Sequence, residues 1–467
     1  MGREQYEDKQ QPTSTEQEIA QPGPRNEGEG VERSLETANE AAMGQLDADA
    51  PAPKDPERKL DPVIAGDRIP VSTTEIDREL VQIWKATTAR EGEDRSSVSL
   101  LRALNLIVYV DSAERAEQVD DVISQVTGRH PSRTLLLVKR PGEAEDIAAW
   151  ISAHCQLPET SNRYICSEQV SIAATGRAIE RLPNIALNLL VTDLPVFLWW
   201  YTGSRLEGYV ADHLVASADR VVIDSALWQE PIDNLLALAE SENGADATRY
   251  ALSDFNWGRL SIWRESTAQF FDAPSRRAYL NRLALVRVDY VDGGDGAANN
   301  PIQALLYAGW LAGRLGWSIQ RGQPERGHTQ GKDLIFWFAR DGRQIQVVLR
   351  PVQPTEEISA GITAVRLDTG GADRGTYEIR LQSDTCTTTI VDTKTGEPVR
   401  RTRGFMPSTD ASLLNQELEI FGRDSIYDDA LQVAAQLILA NPAMRDRAAY
   451  DAEQERTGRR RVIDPRF

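Results

Sequence analysis

The chain has 467 residues, and its 71 Asp and Glu outnumber 52 Lys and Arg to give a formal net charge of −19. That length accommodates two or three domains of about 100–200 residues each. So acidic a chain repels phosphate backbones and anionic lipid heads, which argues against nucleic acid and membrane surfaces as general partners.

Residues 1–65 carry −8 of that charge and few apolar side chains; Gln, Glu, Pro, Gly, Ala and Asp dominate. Such a segment cannot bury enough apolar surface to offset its ordering entropy, so residues 1–70 are expected to be a disordered acidic arm. The arm has neither the apolar run of a signal peptide nor the Arg-rich, acid-poor composition of a transit peptide. No uncharged apolar stretch reaches the roughly 18 residues of a membrane span. The closest, Ile185–Tyr201, contains Asp193 and Pro195. Three cysteines, Cys155, Cys166 and Cys386, do not make a disulfide framework in a chain this long. A soluble, cytoplasmic protein is expected.

Globular patterning begins near Ser72, where Ile76, Leu80, Ile83 and Trp84 recur at helical spacing. The apolar runs Leu106–Val110 and Leu135–Val138 flank a helix with Ala116, Val119, Val122, Ile123 and Val126 on one face, opened by Asp111 and Glu114. Continuous apolar strands around a crossover helix predict a buried parallel βαβ unit. A helix is expected over Glu143–Cys155, a strand over Arg163–Ile172, and a helical stretch over Arg177–Leu190 that Pro183 splits or kinks. Strands follow at Val196–Tyr201 and Arg220–Ile223, then a helix at Asn256–Phe271. Residues 71–275 therefore read as an α/β domain with an open, largely parallel sheet and flanking helices.

The texture then changes. A strand is expected over Leu283–Val291, and a helix that begins at Asn300-Pro301 with Ile302, Leu305, Leu306 and Gly309 on its apolar face. Asp341-Gly342 between Leu334–Phe338 and Gln344–Leu349 signals a hairpin. Further strands at about 362–368, 376–382 and 386–391 precede a helix over Asp424–Leu439. Residues 276–440 read as an α+β domain with an antiparallel sheet, followed by a polar, Arg-rich tail over 441–467.

Catalytic signatures are scarce. The four histidines, His130, His154, His213 and His328, have no metal-ligand spacing. Gly327–Asp333 is one residue short of a P-loop and ends in Asp where Ser or Thr would hold magnesium. No Gly-x-Gly-x-x-Gly or Gly-x-Ser-x-Gly is present. Asp111, Asp193 and Asp224 lie at or near strand ends, where an active site would gather carboxylates but where helix caps also want Asp. No catalytic, cofactor-binding or metal-binding residue is assigned.

Two stretches combine aromatic and polar groups. Val196–Tyr201 ends in Trp199, Trp200 and Tyr201; strand alternation puts Trp199 and Tyr201 on one face and Trp200 on the other. Leu252–Leu260 brings Asp254, Asn256, Trp257 and Arg259 together, with Arg264 one turn later. Trp, Tyr and Arg dominate protein–protein hot spots, so these eight residues are candidates for partner contact. The alternative, tryptophans in a core and polar groups capping a helix, stands beside it.

Thr192–Trp200 and Leu252–Glu265 together resemble the OpcA family, the glucose-6-phosphate dehydrogenase assembly proteins of cyanobacteria and actinobacteria. Arg163–Gln169 and Phe270–Asp272 share the likeness, which extends over about residues 72–440. The resemblance implies a non-catalytic protein without a cofactor that binds glucose-6-phosphate dehydrogenase and favours its active form in the oxidative pentose phosphate pathway. It also implies a link to redox control, for which Cys155 and Cys166 are the spacing-compatible pair. Two other readings remain: an enzyme or sensor for a sugar phosphate or nucleotide at the strand carboxyl ends, and a scaffold that recruits partners through the acidic arm.

Overall fold

The computed structural model describes residues 68–90, 98–156, 164–243, 249–291, 300–320, 333–371, 374–382, 385–392, 398–420, 422–441 and 444. They belong to one compact unit, Leu60–Phe467. The acidic arm, the P-loop-like segment up to Lys332 and most of the 441–467 tail lie outside the described residues.

The fold is mixed α/β, a largely parallel sheet followed by a largely antiparallel one, as the patterning predicts. Sheet A contains β1 (Ile69–Val71), β2 (Val98–Leu100), β3 (Leu104–Val110), β4 (Ser132–Lys139), β5 (Asp146–Gln156), β6 (Tyr164–Thr175), β7 (Val196–Tyr201), β8 (Arg220–Ile223) and β9 (Ala251–Asp254). Among the described residues its order is β1-β5-β6-β4-β3-β7-β8-β9, with β2 also on β6. Every pair from β6 to β9 is parallel, whereas β5 runs antiparallel to both β1 and β6. Helices α1 (Ile76–Arg90), α2 (Ala113–Val126), α3 (Leu182–Asn188), α4 (Gly208–Val215) and α5 (Pro231–Ser241) connect these strands.

Three short helices, α6 (Phe255–Arg259), α7 (Ser261–Phe270) and α8 (Pro274–Leu280), lead to sheet B. That sheet has the order β11 (Ser318–Ile319), β12 (Leu334–Arg340), β13 (Arg343–Val352), β10 (Leu283–Val291), β14 (Ile362–Thr369), β15 (Gly375–Gln382), β16 (Thr385–Asp392), β17 (Val399–Gly404). Only β10–β13 is parallel among its described pairs. The β12–β13 hairpin turns at Asp341 and Gly342, both at positive φ (48° and 75°), the left-handed pair that a two-residue turn between twisted strands requires. Helix α9 (Ile302–Leu315) precedes β11, and α10 (Asp410–Glu419) and α11 (Ser425–Ala440) follow β17.

Two apolar layers sandwich sheet A. One holds Tyr109, Leu137, Leu198, Trp200 and Ile223 and continues into the inner face of sheet B through Val286, Phe338, Leu349, Leu367 and Tyr377. The other holds Val108, Phe197, Trp199 and Tyr201, the buried face of α2, and Leu413, Leu414 and Leu418 of α10. The expected alternation of Trp199 and Tyr201 against Trp200 is therefore realised, and a helix from the far end of the chain covers the first sheet.

Several expectations need correction. Glu143–Cys155 is not a helix; its core is strand β5, paired with β6 from Asp146↔Thr175 to Gln156↔Ile165. Ile147, Trp150 and Ile151 fit a helical stripe, but as a strand Ile147, Ala149 and Ile151 face one layer and Trp150 the other. A long partner on one edge and β1 on the other outweigh the helix propensity of an Ala-rich segment. Asn256–Phe271 is two helices with a break at Leu260. The cap of α2 is Ser112, which accepts from Arg115 N, while Asp111 pairs with the Arg115 guanidinium at 2.6 Å. Pro183 sits in the first turn of α3, which follows a 3-10 turn over Gly176–Arg181, so the proline divides that stretch as expected.

Helix α9 lies against α11 so closely that a Cβ on Gly309 would meet the Ala430 carbonyl oxygen at 2.4 Å, whereas one on Gly313 would find Asp429 Cβ at 4.0 Å. Gly309→Ala should therefore lower stability by about 1–3 kcal/mol despite alanine's helix propensity. Gly313→Ala should be neutral or stabilising by up to about 1 kcal/mol. Denaturant midpoints of the two variants check the contrast.

Candidate functional site

The carboxyl ends of β7, β8 and β9 are where an open α/β sheet collects its ligand groups. Here they deliver Tyr201, Asp224 and Asp254 in adjacent strands. Asp224 follows β8 and caps a short 3-10 turn by accepting from Ala226 N at 3.1 Å; Asp254 ends β9 and caps α6 by accepting from Asn256 N at 2.9 Å. Capping is thus the local reason for both aspartates.

Their other bonds reach across the molecule. The Arg259 guanidinium donates to both carboxylate oxygens of Asp224 (2.7 and 2.9 Å) and to Asp410, the first residue of α10, at 3.2 Å. The Tyr201 hydroxyl donates to the other Asp410 oxygen at 2.9 Å. Asp254 Oδ1 also accepts from Ser225 N, and its Oδ2 accepts from Ser225 Oγ at 2.6 Å and Tyr427 Oη at 3.5 Å. Asn256 donates to Ser225 Oγ and accepts from Gln303 of α9, whose own carbonyl receives Ile362 N of β14. Trp257 Nε1 donates to Asp424, the cap of α11, and the Arg264 guanidinium lies 3.6 Å from the Trp257 ring centroid. One polar core thereby ties sheet A to α9, α10, α11 and sheet B.

The eight nominated contact residues lie largely indoors and on both faces of sheet A, Trp199 and Tyr201 in one apolar layer and Trp200 and Trp257 in the other. Trp199, Trp200, Tyr201, Asp254, Asn256 and Trp257 are buried, and only Arg259 and Arg264 keep partial exposure. Asp410, Asp424, Gln303 and Tyr427, which complete the network, were not foreseen. They stand 47 to 209 residues from their partners in these bonds, and no local motif marks them. Complete burial, and then the neighbouring Asp224 charge, push the Asp254 carboxyl up to about 7 against the hydrogen bonds from Ser225 and Asn256.

A second buried charge anchors the opposite end of the strands. Glu168 of β6 is fully buried and takes Arg102 Nη2 and Trp84 Nε1, both at 2.9 Å, and the Arg133 guanidinium. Burial alone would raise this carboxyl, but the two arginines hold it below the usual carboxylate range. Nearby, Cys155 and Cys166 are directly opposite in the β5–β6 ladder, Cα atoms 4.1 Å apart, and form a disulfide. Cys386 is free and buried.

The chain is similar to a family model described as the glucose-6-phosphate dehydrogenase subunit N-terminal domain over residues 123–240, and to the matching C-terminal domain over 250–431. Relatives named OxPP cycle protein OpcA come from Nostoc punctiforme (32% identical over 330 residues, 68% of each chain) and Synechocystis (27% over 334 residues, 69% of this chain and 66% of that one). A third, from Synechococcus elongatus, is 27% identical over 373 residues, 78% of this chain and 81% of that one. The chain belongs to the OpcA family. Among solved structures, the yvaA protein of Bacillus subtilis superimposes with a TM-score of 0.39 at 9% identity, covering 74% of this chain and 98% of that one. No described helix is long and apolar enough to cross a membrane.

Two outcomes follow from this geometry. Folding binds a proton at Asp254 between its unfolded value near 4 and its folded value near 7, so its contribution to stability falls as pH rises through that window. Asp254→Asn, with its amide nitrogen at the Oδ2 position, matches the protonated carboxyl; the stability of the variant minus that of the wild type should grow from pH 4 to pH 8 in urea titrations. A pH-independent difference contradicts the assignment. The disulfide closes a loop of about 12 residues and should contribute roughly 3 kcal/mol. Cys155→Ser should lower the melting temperature of the oxidised protein, and reductant should lower only the wild type.

Proposed function

We propose that the protein is a non-catalytic, cytoplasmic partner of glucose-6-phosphate dehydrogenase that favours the enzyme's active form in the oxidative pentose phosphate pathway. The observation that carries this reading is the match to the two domains named for a subunit of that dehydrogenase, which together span sheet A from α2 onward and sheet B. The sheet geometry supports it. In sheet A the strand order reverses between β3 and β7, where such sheets open a ligand crevice. Asp410 at the head of α10 sits on the carboxyl end of β7, and α10 packs against α2 in the same apolar layer. The first residue of a helix of this chain thus stands at the carboxyl end beside that switch point.

An activator acts by binding the competent conformation of the enzyme more tightly than the incompetent one. A tenfold change in substrate affinity takes about 1.4 kcal/mol of coupling, and the substrate must strengthen association equally. The buried candidates then work by shaping the surface, while Arg259 and Arg264 supply side chains a partner can touch. Cys155 and Cys166 provide a thiol pair through which oxidation state can bear on the β5–β6 edge of the protein.

Titrating the full chain into the dehydrogenase of the same organism should change its glucose 6-phosphate saturation, turnover or oligomeric state; no change in any of the three defeats the proposal. Arg264→Ala should weaken association about tenfold or more while the protein stays folded. Trp257→Ala should instead cost about 3–5 kcal/mol of stability, since it empties a buried site, and circular dichroism melting separates the two effects.

A further inference from the structure

A cavity of about 500 Å³ lies between α4 and α5, over the β7–β8 half of sheet A and on the face opposite α10. It is separate from the polar core around Arg259. Its floor is apolar and aromatic: Ile223, the indole of Trp228, and Trp200, one ring face of which is already stacked on Tyr109 at 4.3 Å. Arg205, Glu207, Asp212 and Arg249 line its more exposed parts. The volume suits a monosaccharide phosphate or a mononucleotide.

Two polar groups belong to the deeper part of the lining. Asn234 of α5 and Trp228 are 4% and 6% exposed, yet neither the Asn234 amide nor Trp228 Nε1 is among the buried polar atoms left unpaired in the described residues. Their polar atoms are therefore open to the cavity, where water or a ligand can pair them. Both side chains face the cavity, where they offer two donors from the amide and indole nitrogens and one acceptor from the amide oxygen. Arg205 is engaged by Glu207 at 3.1 Å, with the two side chains 33% and 63% exposed. So exposed a pair is weak, and a phosphate dianion that accepts a bidentate guanidinium bond displaces the carboxylate at little cost.

We propose that this cavity is a binding site for the phosphomonoester of a sugar: the hydroxyl-bearing ring lies on the indoles and bonds to Asn234 and Trp228 Nε1, and the phosphate takes Arg205 at the mouth. A free sugar phosphate and a mononucleotide share that chemistry. The site goes beyond the dehydrogenase partnership and does not depend on it.

The test uses the full chain without the dehydrogenase. Melting temperature and calorimetric titration are followed with inorganic phosphate, glucose, glucose 6-phosphate and adenosine monophosphate. One of the two phosphomonoesters should bind saturably and raise the melting temperature, at least tenfold more tightly than phosphate or glucose alone. Preference for the nucleotide assigns a base-stacking site, and preference for the hexose phosphate a sugar site. Asn234→Leu should weaken binding at least tenfold while circular dichroism shows the unliganded variant folded. Arg205→Gln should weaken phosphomonoester binding and leave the weak response to glucose unchanged. No saturable binding below about 10 mM of either phosphomonoester, or variants that bind like the wild type, overturns the proposal.

Discussion

Arg259 holds two carboxylates that lie far apart in the sequence, Asp224 after β8 and Asp410 at the head of α10. With Asp254 beside Asp224, three acidic groups cluster around one partly buried guanidinium that pairs with two of them, and every remaining lone pair needs a donor. Tyr201, Ser225, Asn256 and Tyr427 supply them. Charges buried in this way are tolerated only when paired and hydrogen-bonded, so the surrounding elements have little freedom in position. The direction of α10 across sheet A, the start of α6 and the approach of α9 and α11 are each fixed by a bond to this group.

The same constraint explains why residues with the composition of an interface lie inside. Trp257 and Arg264 form a stacked cation and ring, and Arg259 makes a bidentate carboxylate bond. Aromatic and guanidinium groups serve an internal junction between two sheets for the reasons they serve a junction between two proteins: large contact area with a polar end that must be satisfied. Composition identifies a junction. It does not say whether both sides belong to one chain.

Much of the fold was legible because its cause was local. Leu106–Val110, Leu135–Val138 and Val196–Tyr201 are apolar without interruption and became central parallel strands. Asp341-Gly342 made its hairpin because those two residues accept positive φ. Strand β5 was misread because Ile147, Trp150 and Ile151 satisfy both periods, and only its neighbours decide. Strand β17, Val399–Gly404, is exposed throughout and rich in arginine, so no apolar signal announces it. Within the candidate site, Asp254, Asn256, Trp257 and Arg259 were visible as a cluster, whereas Asp410 and Asp424 were not. The cavity between α4 and α5 was invisible for a similar reason: Trp200, Trp228 and Asn234 look like ordinary core positions until the space between them is seen.

The return of α10 to sheet A also bears on how the chain is made. The face of the sheet that carries Val108, Phe197, Trp199 and Tyr201 is finished by Leu413, Leu414 and Leu418, and Tyr201 waits 209 residues for Asp410. At about 5–20 residues per second, that gap lasts roughly 10–40 s on a translating ribosome. For that interval the aromatic sheet surface has only α2 for cover, and the part that α10 closes stays open. The nascent chain is therefore a natural client for chaperones until its last helices emerge.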